Sequence, residues 1–200
     1  MNRMKKTTVF VFSGPGGVGK TTLVEKLFKK KWAQKKLIRA VSATTRRQRP
    51  GEKDGKDYLF VSQAEFLRCK KEGYFLESEQ VLENFYGTPR FFYDEAVKTG
   101  KSLVLCIDVK GGMYLKKHLK ESKITTVFIS APGKEELLER LKNRNEDKAV
   151  IKKRIVLARQ ELDFAKAYDY LVINRKLDTA LKEIEAIIRK EMIKHRGGNR

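Results

Sequence analysis

The sequence predicts an α/β fold in which a parallel β-sheet forms the core and helices flank it. Three observations support this prediction. Largely apolar runs of strand length recur along the chain, at 9–12, 37–41, 102–108 and 125–130. Amphipathic helical segments separate these runs, and this order is typical of parallel strands joined by crossover helices. Several runs are apolar without alternation, as expected of strands that are buried on both faces.

A glycine-rich loop follows the first apolar run. Residues 14–21 have the spacing GxxxxGK[ST] and lie between the predicted strand and an amphipathic helix. The glycines allow backbone N–H groups to point inward around an anion, and the helix start adds the positive end of its dipole. We therefore predict a phosphate-binding P-loop for a nucleoside triphosphate, and a core of the P-loop NTPase type. The predicted loop contacts are Gly14, Pro15, Gly16, Gly17, Val18, Gly19, Lys20, Thr21 and Thr22.

Two polar side chains at the end of this loop have separate predicted tasks. The Lys20 ammonium group can reach the β- and γ-phosphates, which makes it a predicted catalytic residue. The Thr21 hydroxyl can bind Mg²⁺, the cofactor expected with the triphosphate. A glycine-rich turn that binds nothing is the alternative interpretation, and the flanking strand and helix disfavour it.

Composition limits the class of protein. The chain has 200 residues, enough for one domain with a sizeable core, and a net charge of +20 that favours anionic partners. The lysines are scattered and no nucleic-acid-binding motif is present, so nucleic acid is not an expected partner. No stretch approaches the ~20 apolar residues of a membrane helix. The two cysteines, Cys69 and Cys106, lack metal-like spacing. We expect a cytoplasmic protein, a monomer or a homodimer, without membrane contact.

Two segments depart from the α/β pattern. Between residues 42 and 88 the sequence is polar and turn-rich, with short strands and one helix whose start is predicted by a capping box at 62–65. Residues 84–88 are interpreted as a turn or a short strand. Further along, residues 142–148 are polar and have no apolar anchor. Before the first of these segments, residues 31–36 are expected to form a basic surface connection.

Several motifs in order along the chain resemble the guanylate kinase family. The similarity extends from Val9 to about Ile188, and the motifs keep the family's spacing. They are S-A-T-T-R-x-x-R-P-G-E at 42–52, G-K-D-Y-x-F-V at 55–61, F-L-E at 75–77, N-x-Y-G-T at 84–88 and I-D-x-x-G at 107–111.

The resemblance implies an activity and a division of the chain. The implied reaction is Mg²⁺-dependent transfer of the ATP γ-phosphoryl group to GMP, and also to dGMP, which yields ADP and GDP or dGDP. The two substrates are then the small-molecule partners. A single domain is implied, divided into a core (1–41, 89–141 and 155–200), a small mixed α/β GMP-binding insert (42–88) and a short lid (142–154).

The residues of the insert also fit a guanine monophosphate on chemical grounds. Arg46 and Arg49 can bind a phosphate through planar, bidentate groups, and Tyr58 and Tyr86 can donate hydroxyls to it. Glu77 can accept from both the N1–H and the 2-amino group of guanine, a pair of donors that adenine lacks. The predicted GMP-binding residues are Ser42, Arg46, Arg49, Tyr58, Glu77, Tyr86, Gly87, Thr88 and Asp108.

The lid implied by the resemblance carries arginines that close over the transferring phosphoryl group. Arg140, Arg144 and Arg154 match these arginines and join Lys20 as predicted catalytic residues. Guanidinium groups placed there would stabilise the charge that spreads over the phosphoryl oxygens.

Other positions match or depart from the family pattern. Asn174 resembles an adenine-side contact for ATP, although Arg175 and Lys176 follow it where acidic residues are usual. Cys106 stands where the family usually has an acid two positions before Asp108. Because residues i and i+2 share a strand face, an acid pair there becomes a single acid.

Three alternative functions stay open from the sequence. One is a catalytically inactive guanylate-kinase-like module that binds a phosphorylated peptide. It is disfavoured by the presence of Lys20, Thr21, Arg144 and Arg154, since a binding module does not need a phosphate loop. The others are a P-loop kinase of another phosphorylated acceptor and a nucleic-acid-binding protein.

Overall fold

A computed structural model describes residues 7–142 and 148–197, in which strands and helices are interspersed along the chain. The strands are β1 (Thr8–Ser13), β2 (Leu37–Arg39), β3 (Ala43–Thr44), β4 (Leu59–Phe60), β5 (Phe75–Val81), β6 (Asn84–Pro89), β7 (Ser102–Cys106), β8 (Lys123–Ser130) and β9 (Tyr170–Ile173). The helices are α1 (Lys20–Phe28), α2 (Lys31–Lys36), α3 (Gln63–Lys71), α4 (Phe91–Thr99), α5 (Val109–His118), α6 (Lys134–Lys142), α7 (Lys148–Asp163) and α8 (Leu177–Gly197), and a 3₁₀ helix, Phe164–Ala167, follows α7.

The larger sheet has five strands in the order β2-β7-β1-β8-β9. All of its neighbouring strands are parallel, so their carboxyl ends lie at one edge. The chain leaves β1 towards β2 on one side and later crosses to β8 on the other. This reversal beside β1 is where open α/β sheets bind ligands. The predicted parallel sheet flanked by helices is confirmed.

The two faces of β1 belong to two different cores. Phe10 and Phe12 pack with buried residues of α1 and α8, whereas Val9 and Val11 pack with buried residues of α4 and α5. All four side chains are fully buried. Successive residues of a strand point to opposite faces, so a strand with helices on both faces needs an apolar residue at every position. Burial of each such side chain contributes about 1.5–3 kcal/mol.

A smaller sheet, in the order β4-β3-β6-β5, lies between residues 43 and 89. β5 and β6 pair antiparallel, and Leu82 in their connecting turn has a φ of 55°. Such a φ is unfavourable for a side chain of this size, and the hairpin on either side holds it there. Apart from Pro89, this sheet falls within the range predicted for the insert; the insert and lid boundaries themselves stay predictions.

Local expectations have mixed outcomes. The surface connection expected at residues 31–36 is wrong, because these residues form helix α2. Ala33 is fully buried there, and Trp32 packs against the core that contains Phe10 and Phe12. Two apolar residues among lysines are therefore enough to dock a short helix. Residues 84–88 belong to a strand rather than to a turn. The Ser62 cap is confirmed, since its hydroxyl accepts from the Glu65 backbone N–H at 3.1 Å.

Helix α8 is fixed to the sheet through Glu191. Its carboxylate binds the Lys123 ammonium of β8 at 2.7 Å and accepts from the Tyr170 hydroxyl of β9 at 2.8 Å. Burial opposes the charge, but hydrogen bonds from Lys123, Tyr170 and Lys194 outweigh it and lower the pKa of Glu191 to about 2. Among the described residues, no helix combines the length and the apolar character that a membrane crossing requires.

Replacement of Glu191 tests this attachment. Glu191→Gln should lower the free energy of unfolding by about 1–3 kcal/mol at neutral pH, because it removes charge-assisted hydrogen bonds. Since folding lowers the pKa of Glu191, the contribution is complete above about pH 4.5 and disappears as the pH falls towards about 2. Denaturant unfolding across this range measures it, and Glu183→Gln on the exposed side of α8 is the control. A difference between Glu191→Gln and wild type that persists at pH 2 would contradict the assignment.

Candidate active site

A cavity of about 400 Å³ brings the predicted donor and acceptor residues together. It adjoins the carboxyl ends of β1 and β7, and residues of the smaller sheet and its loops line it too. The predicted residues that line it are Gly14, Gly16, Gly17, Gly19, Lys20, Thr21, Thr22, Ser42, Arg46, Arg49, Tyr58, Glu77, Tyr86, Asp108 and Arg154. Lys20 and Glu77, which are 57 positions apart, therefore share one cleft.

The P-loop starts with a glycine that no other residue can replace without strain. Gly14 has a φ of 138°, and a Cβ at this position would lie 2.0 Å from the carbonyl oxygen of Ile129 in β8. The loop is thus pressed directly against the neighbouring strand. Its last residues lead into α1, where the Lys20 ammonium group donates to the carbonyl oxygens of Gly14 at 2.5 Å and Pro15 at 2.9 Å. These bonds keep the Lys20 side chain over the loop.

Three predicted ATP contacts lie outside the cavity lining. The carbonyl oxygen of Pro15 accepts a hydrogen bond from Lys20. Val18 is fully buried in the core that contains Phe10 and Phe12. Asn174 is buried as well, and its side-chain amide donates to the carbonyl oxygen of Val18 at 2.7 Å. This bond ties the loop to the segment after β9. The adenine contact expected of Asn174 stays a prediction.

Arg46 is held in the cavity wall by an acid that sequence reasoning did not single out. Its guanidinium group donates to both oxygens of Glu52, at 2.7 and 3.0 Å, and lies over the Tyr58 ring at 5.3 Å. Burial opposes the charge of Glu52, but hydrogen bonds from Arg46 and from the Arg49 backbone N–H hold the pKa of Glu52 below its usual value. Burial raises the pKa of Tyr58 to about 12, so its hydroxyl keeps its proton as a donor.

Glu77 is a buried acid at the back of the cavity. Its Oε1 accepts from the Thr88 hydroxyl at 2.6 Å, and that hydroxyl lies 3.3 Å from the Ser42 hydroxyl. A Cβ on Gly111 would lie 2.6 Å from Glu77 Oε2. The absence of a side chain at this one position of α5 therefore leaves room for the carboxylate. Burial raises the pKa of Glu77 to about 8, helped by Asp108 and opposed by the bond from Thr88. Thr88 and its neighbour Gly87 do not line the cavity themselves, and Gly87 lies against the rings of Phe75 and Phe66.

Asp108 and Cys106 lie together at the end of β7, and both line the cavity. The Asp108 carboxylate caps α5 by accepting from the backbone N–H groups of Lys110 at 2.7 Å and Gly111 at 2.9 Å. The Cys106 thiol forms a hydrogen bond with the Thr21 side chain, and burial raises the pKa of this thiol. The acid and the thiol thus contact different neighbours, although they share a side of the cleft.

The predicted lid arginines have different surroundings. The Arg140 guanidinium donates to Glu136 at 2.5 Å and to the Asn174 carbonyl oxygen at 3.3 Å, and it does not line the cavity. Arg144 lies outside the described residues. Arg154 lines the cavity from α7, together with Leu157 and Glu161.

Sequence reasoning missed some lining residues. Glu52 and Asp57 both line the cavity, and both belong to motifs that match the guanylate kinase family. Their place in these motifs could have identified them. Glu161 had only a weak signal: it lies seven residues after Arg154, hence on the same face of a helix.

A parallel sheet, a P-loop and an adjoining pocket lined by arginines and a buried glutamate define a P-loop kinase with a separate acceptor site. A family model described as "Guanylate kinase" matches residues 6–191 of the chain. The chain belongs to the guanylate kinase family.

Individual relatives agree with this membership. A guanylate kinase from Wolbachia sp. subsp. Brugia malayi (strain TRS) is 42% identical over 190 residues, which cover 94% of this chain and 95% of that protein. A guanylate kinase from Wolbachia pipientis wMel is 43% identical over 187 residues, 93% of this chain and 91% of that protein. The crystal structure of guanylate kinase from Anaplasma phagocytophilum superposes with a TM-score of 0.74 at 32% identity, over 94% of this chain and 86% of that chain.

The buried charge of Glu77 gives a test in the absence of nucleotide. Because folding raises the pKa of Glu77, its ionisation opposes folding progressively as the pH rises from about 4.5 to about 8. Glu77→Gln should therefore be more stable than wild type at pH 9 and close to it at pH 4. Thermal unfolding across this range measures the difference, with Glu95→Gln on the exposed side of α4 as the control. A Glu77→Gln protein that is less stable at pH 9 would contradict the burial of an uncompensated acid.

Proposed function

We propose that this protein transfers the γ-phosphoryl group of ATP to GMP, producing ADP and GDP, and accepts dGMP in the same way. Its membership of the guanylate kinase family supports an enzyme of this kind. The observation that carries the proposal is that Lys20 of the P-loop and Glu77 of the acceptor pocket line one cavity. A triphosphate donor and a guanine monophosphate can then meet within one cleft.

Guanine is selected by the charge state of Glu77. The N1–H and 2-amino groups of guanine are two adjacent donors, and a carboxylate can accept a hydrogen bond from both. Since burial raises the pKa of Glu77 to about 8, the carboxyl group holds a proton near neutral pH until these donors favour its ionised form. Adenine has an acceptor at N1 and a C2–H in place of the 2-amino group. An ionised Glu77 would therefore have no donor to accept from, and a protonated Glu77 could form only one of the two bonds, so adenine is disfavoured in either charge state.

The acceptor phosphate is bound on the loop that carries Arg46 and Arg49. Both arginines line the cavity, and Glu52 orients the fork of Arg46 through two short hydrogen bonds. Tyr58 and Tyr86, whose rings meet edge to face at 6.0 Å, both line the cavity and can donate their hydroxyls to the same phosphate. Such a set suits a dianionic phosphate, because planar guanidinium groups give directed, charge-assisted bonds.

The protein offers Mg²⁺ a site of the kind that phosphoryl-transfer enzymes use. Thr21 follows Lys20 in the first turn of α1 and lines the cavity, so its hydroxyl can serve as a ligand. Within residues 7–142 and 148–197 there is no cluster of three acidic, histidine or cysteine side chains that could hold a metal. This fits Mg²⁺, which takes few protein ligands and is completed by phosphate oxygens and water. When bound, the ion would neutralise charge on the β- and γ-phosphates.

Transfer then requires positioning and charge stabilisation. The acceptor phosphate is already anionic, so direct in-line attack needs no strong protein base. Lys20 and Arg154 face the cleft, and we assign to them, with Arg140 and Arg144, the stabilisation of charge on the transferring group. Arg140 would have to exchange its bond with Glu136 for the phosphoryl oxygens. Closure of the lid (142–154) would exclude water and prevent hydrolysis of ATP.

A cytoplasmic location accompanies this assignment. Cys69 and Cys106 are both free thiols, as is usual in a reducing compartment. A monomer or a homodimer stays the predicted assembly, without nucleic acid as a partner. The inactive phosphopeptide-binding module is not favoured, because Lys20 and Thr21 line the cavity alongside the acceptor pocket.

An acceptor panel tests the reaction. A coupled ADP-release assay with ATP and Mg²⁺ should show turnover with GMP and dGMP, and rates lower by about 10⁴ or more with AMP. CMP and UMP belong in the panel as further controls. Equal turnover of AMP and GMP would contradict the role of Glu77. No turnover with any nucleotide, together with intact GMP binding, would favour the inactive module.

Replacement of the P-loop lysine separates donor chemistry from acceptor binding. Lys20→Ala should abolish transfer, because it removes the cation that is expected to bind the β- and γ-phosphates. GMP binding, measured by calorimetry, should persist, since Arg46 and Glu77 are untouched. Lys29→Ala, which removes an exposed lysine after α1, is the matched control and should keep full activity. An unchanged rate in Lys20→Ala would remove the P-loop from the mechanism.

A further inference from the structure

Glu161 is an acid in the cavity wall to which the proposed reaction assigns no role. Glu161 lies near the end of α7 and is only 6% exposed, yet it lines the same cavity as the P-loop and Asp108. A buried carboxylate is costly unless it is paired, and this one faces a cavity that would receive two anionic substrates. Its position therefore calls for a partner of positive charge.

Two predicted catalytic cations supply that charge. Glu161 interacts electrostatically with Lys20 of the P-loop and with Arg154 of its own helix. Arg154 and Glu161 are seven residues apart, so both lie on the face of α7 that lines the cavity. Asp108 at the start of α5 and the Tyr168 hydroxyl in the segment after α7 also interact electrostatically with this carboxyl group. Glu161 thus lies within electrostatic range of one cation from the P-loop and one from its own helix.

We propose that Glu161 is a positioning residue for phosphoryl transfer. Its carboxylate holds Arg154 in the cleft beside Lys20, whose ammonium group is already bound by two P-loop carbonyl oxygens, and it offsets the repulsion between these two cations. The proposal rests on the proposed ATP:GMP transfer. Lys20 and Arg154 belong to separate parts of the chain, and a negative charge that attracts both keeps them directed into the cavity before substrates arrive. Preorganised charges act on the transition state without reorganisation at the moment of transfer.

A role in folding stability does not account for this residue. Burial raises the pKa of Glu161 to about 7, against the attraction of Lys20 and Arg154. Because folding raises this pKa, the ionised carboxylate opposes folding progressively as the pH rises from about 4.5 to about 7. Glutamine, which has the same shape and no charge, should therefore be at least as stable as glutamate at pH 8. Any loss of activity in Glu161→Gln would then come from the lost charge.

The experiment compares wild type with Glu161→Gln, and Asp163→Asn is the matched control. Asp163 is an exposed acid on the same helix and lies outside the cavity lining. At pH 8, Glu161→Gln should lower kcat by about 10- to 100-fold with little change in the KM for GMP, whose pocket it does not touch. Asp163→Asn should match wild type. Thermal unfolding at the same pH should show no loss of stability in Glu161→Gln.

The decisive measurement is the ratio of the wild-type kcat to the Glu161→Gln kcat as a function of pH. Protonated glutamate and glutamine are alike in shape and charge, so the ratio should fall towards one as the pH is lowered through the range where Glu161 takes up a proton. Ionisation of the substrates affects both proteins equally and cancels. A ratio that is independent of pH, an unchanged kcat, or an effect confined to KM would overturn the proposal.

Failure of the proposed function has a different signature. In that case the wild-type protein itself would not phosphorylate GMP in the acceptor panel. The ratio is then measured with the acceptor that the wild type does phosphorylate, or as the ratio of ATP affinities if there is none. An ATP affinity ratio of one at pH 8 would also overturn the positioning role.

Discussion

The site depends on the close contact between the P-loop and strand β8. Gly14 lies against the Ile129 carbonyl oxygen so tightly that not even a methyl group fits, and Asn174 holds the other end of the loop through Val18. The loop is thus clamped to the carboxyl edge of the sheet at two points. These two contacts also fix the positions of Lys20 and Thr21, because these residues begin the helix that follows the loop.

The cleft combines fixed cations with acids that burial makes reluctant to ionise. Arg46 and Glu52 form a closely paired unit, whereas burial raises the pKa values of Glu77 and Glu161. Acids in such surroundings reduce stability when they ionise, and residues with this property concentrate at functional sites. On our interpretation, Glu77 is compensated by the donors of guanine and Glu161 by two catalytic cations. On this interpretation, ionisation of Glu77 lowers folding stability but serves recognition of guanine, and ionisation of Glu161 lowers folding stability but serves the positioning of catalytic cations.

Sequence reasoning reached the fold because its signals are local. Apolar runs and the GxxxxGK[ST] spacing locate the core strands and the P-loop without knowledge of the tertiary structure. Helix α2 escaped prediction because only Trp32 and Ala33 anchor it among lysines. In the site, Glu161 and the diverted guanidinium of Arg140 depend on which helix faces the cavity. The spacing of seven residues puts Glu161 on the same helix face as Arg154, but it does not show that this face lines the cavity. Nor does any spacing show that the Arg140 guanidinium is bound by Glu136 instead of facing the cavity.

The contact between Gly111 and Glu77 joins the two sheets of the molecule. Glu77 belongs to β5 of the smaller sheet, whereas Gly111 lies in the first turn of α5, which packs on the larger one. On the proposed assignment, the guanine pocket is consequently formed between the two sheets and not by residues 42–88 alone. A graft of that segment onto another P-loop scaffold would transfer the arginines and the glutamate. It would recover base selectivity only where the host helix also had a glycine at the matching turn.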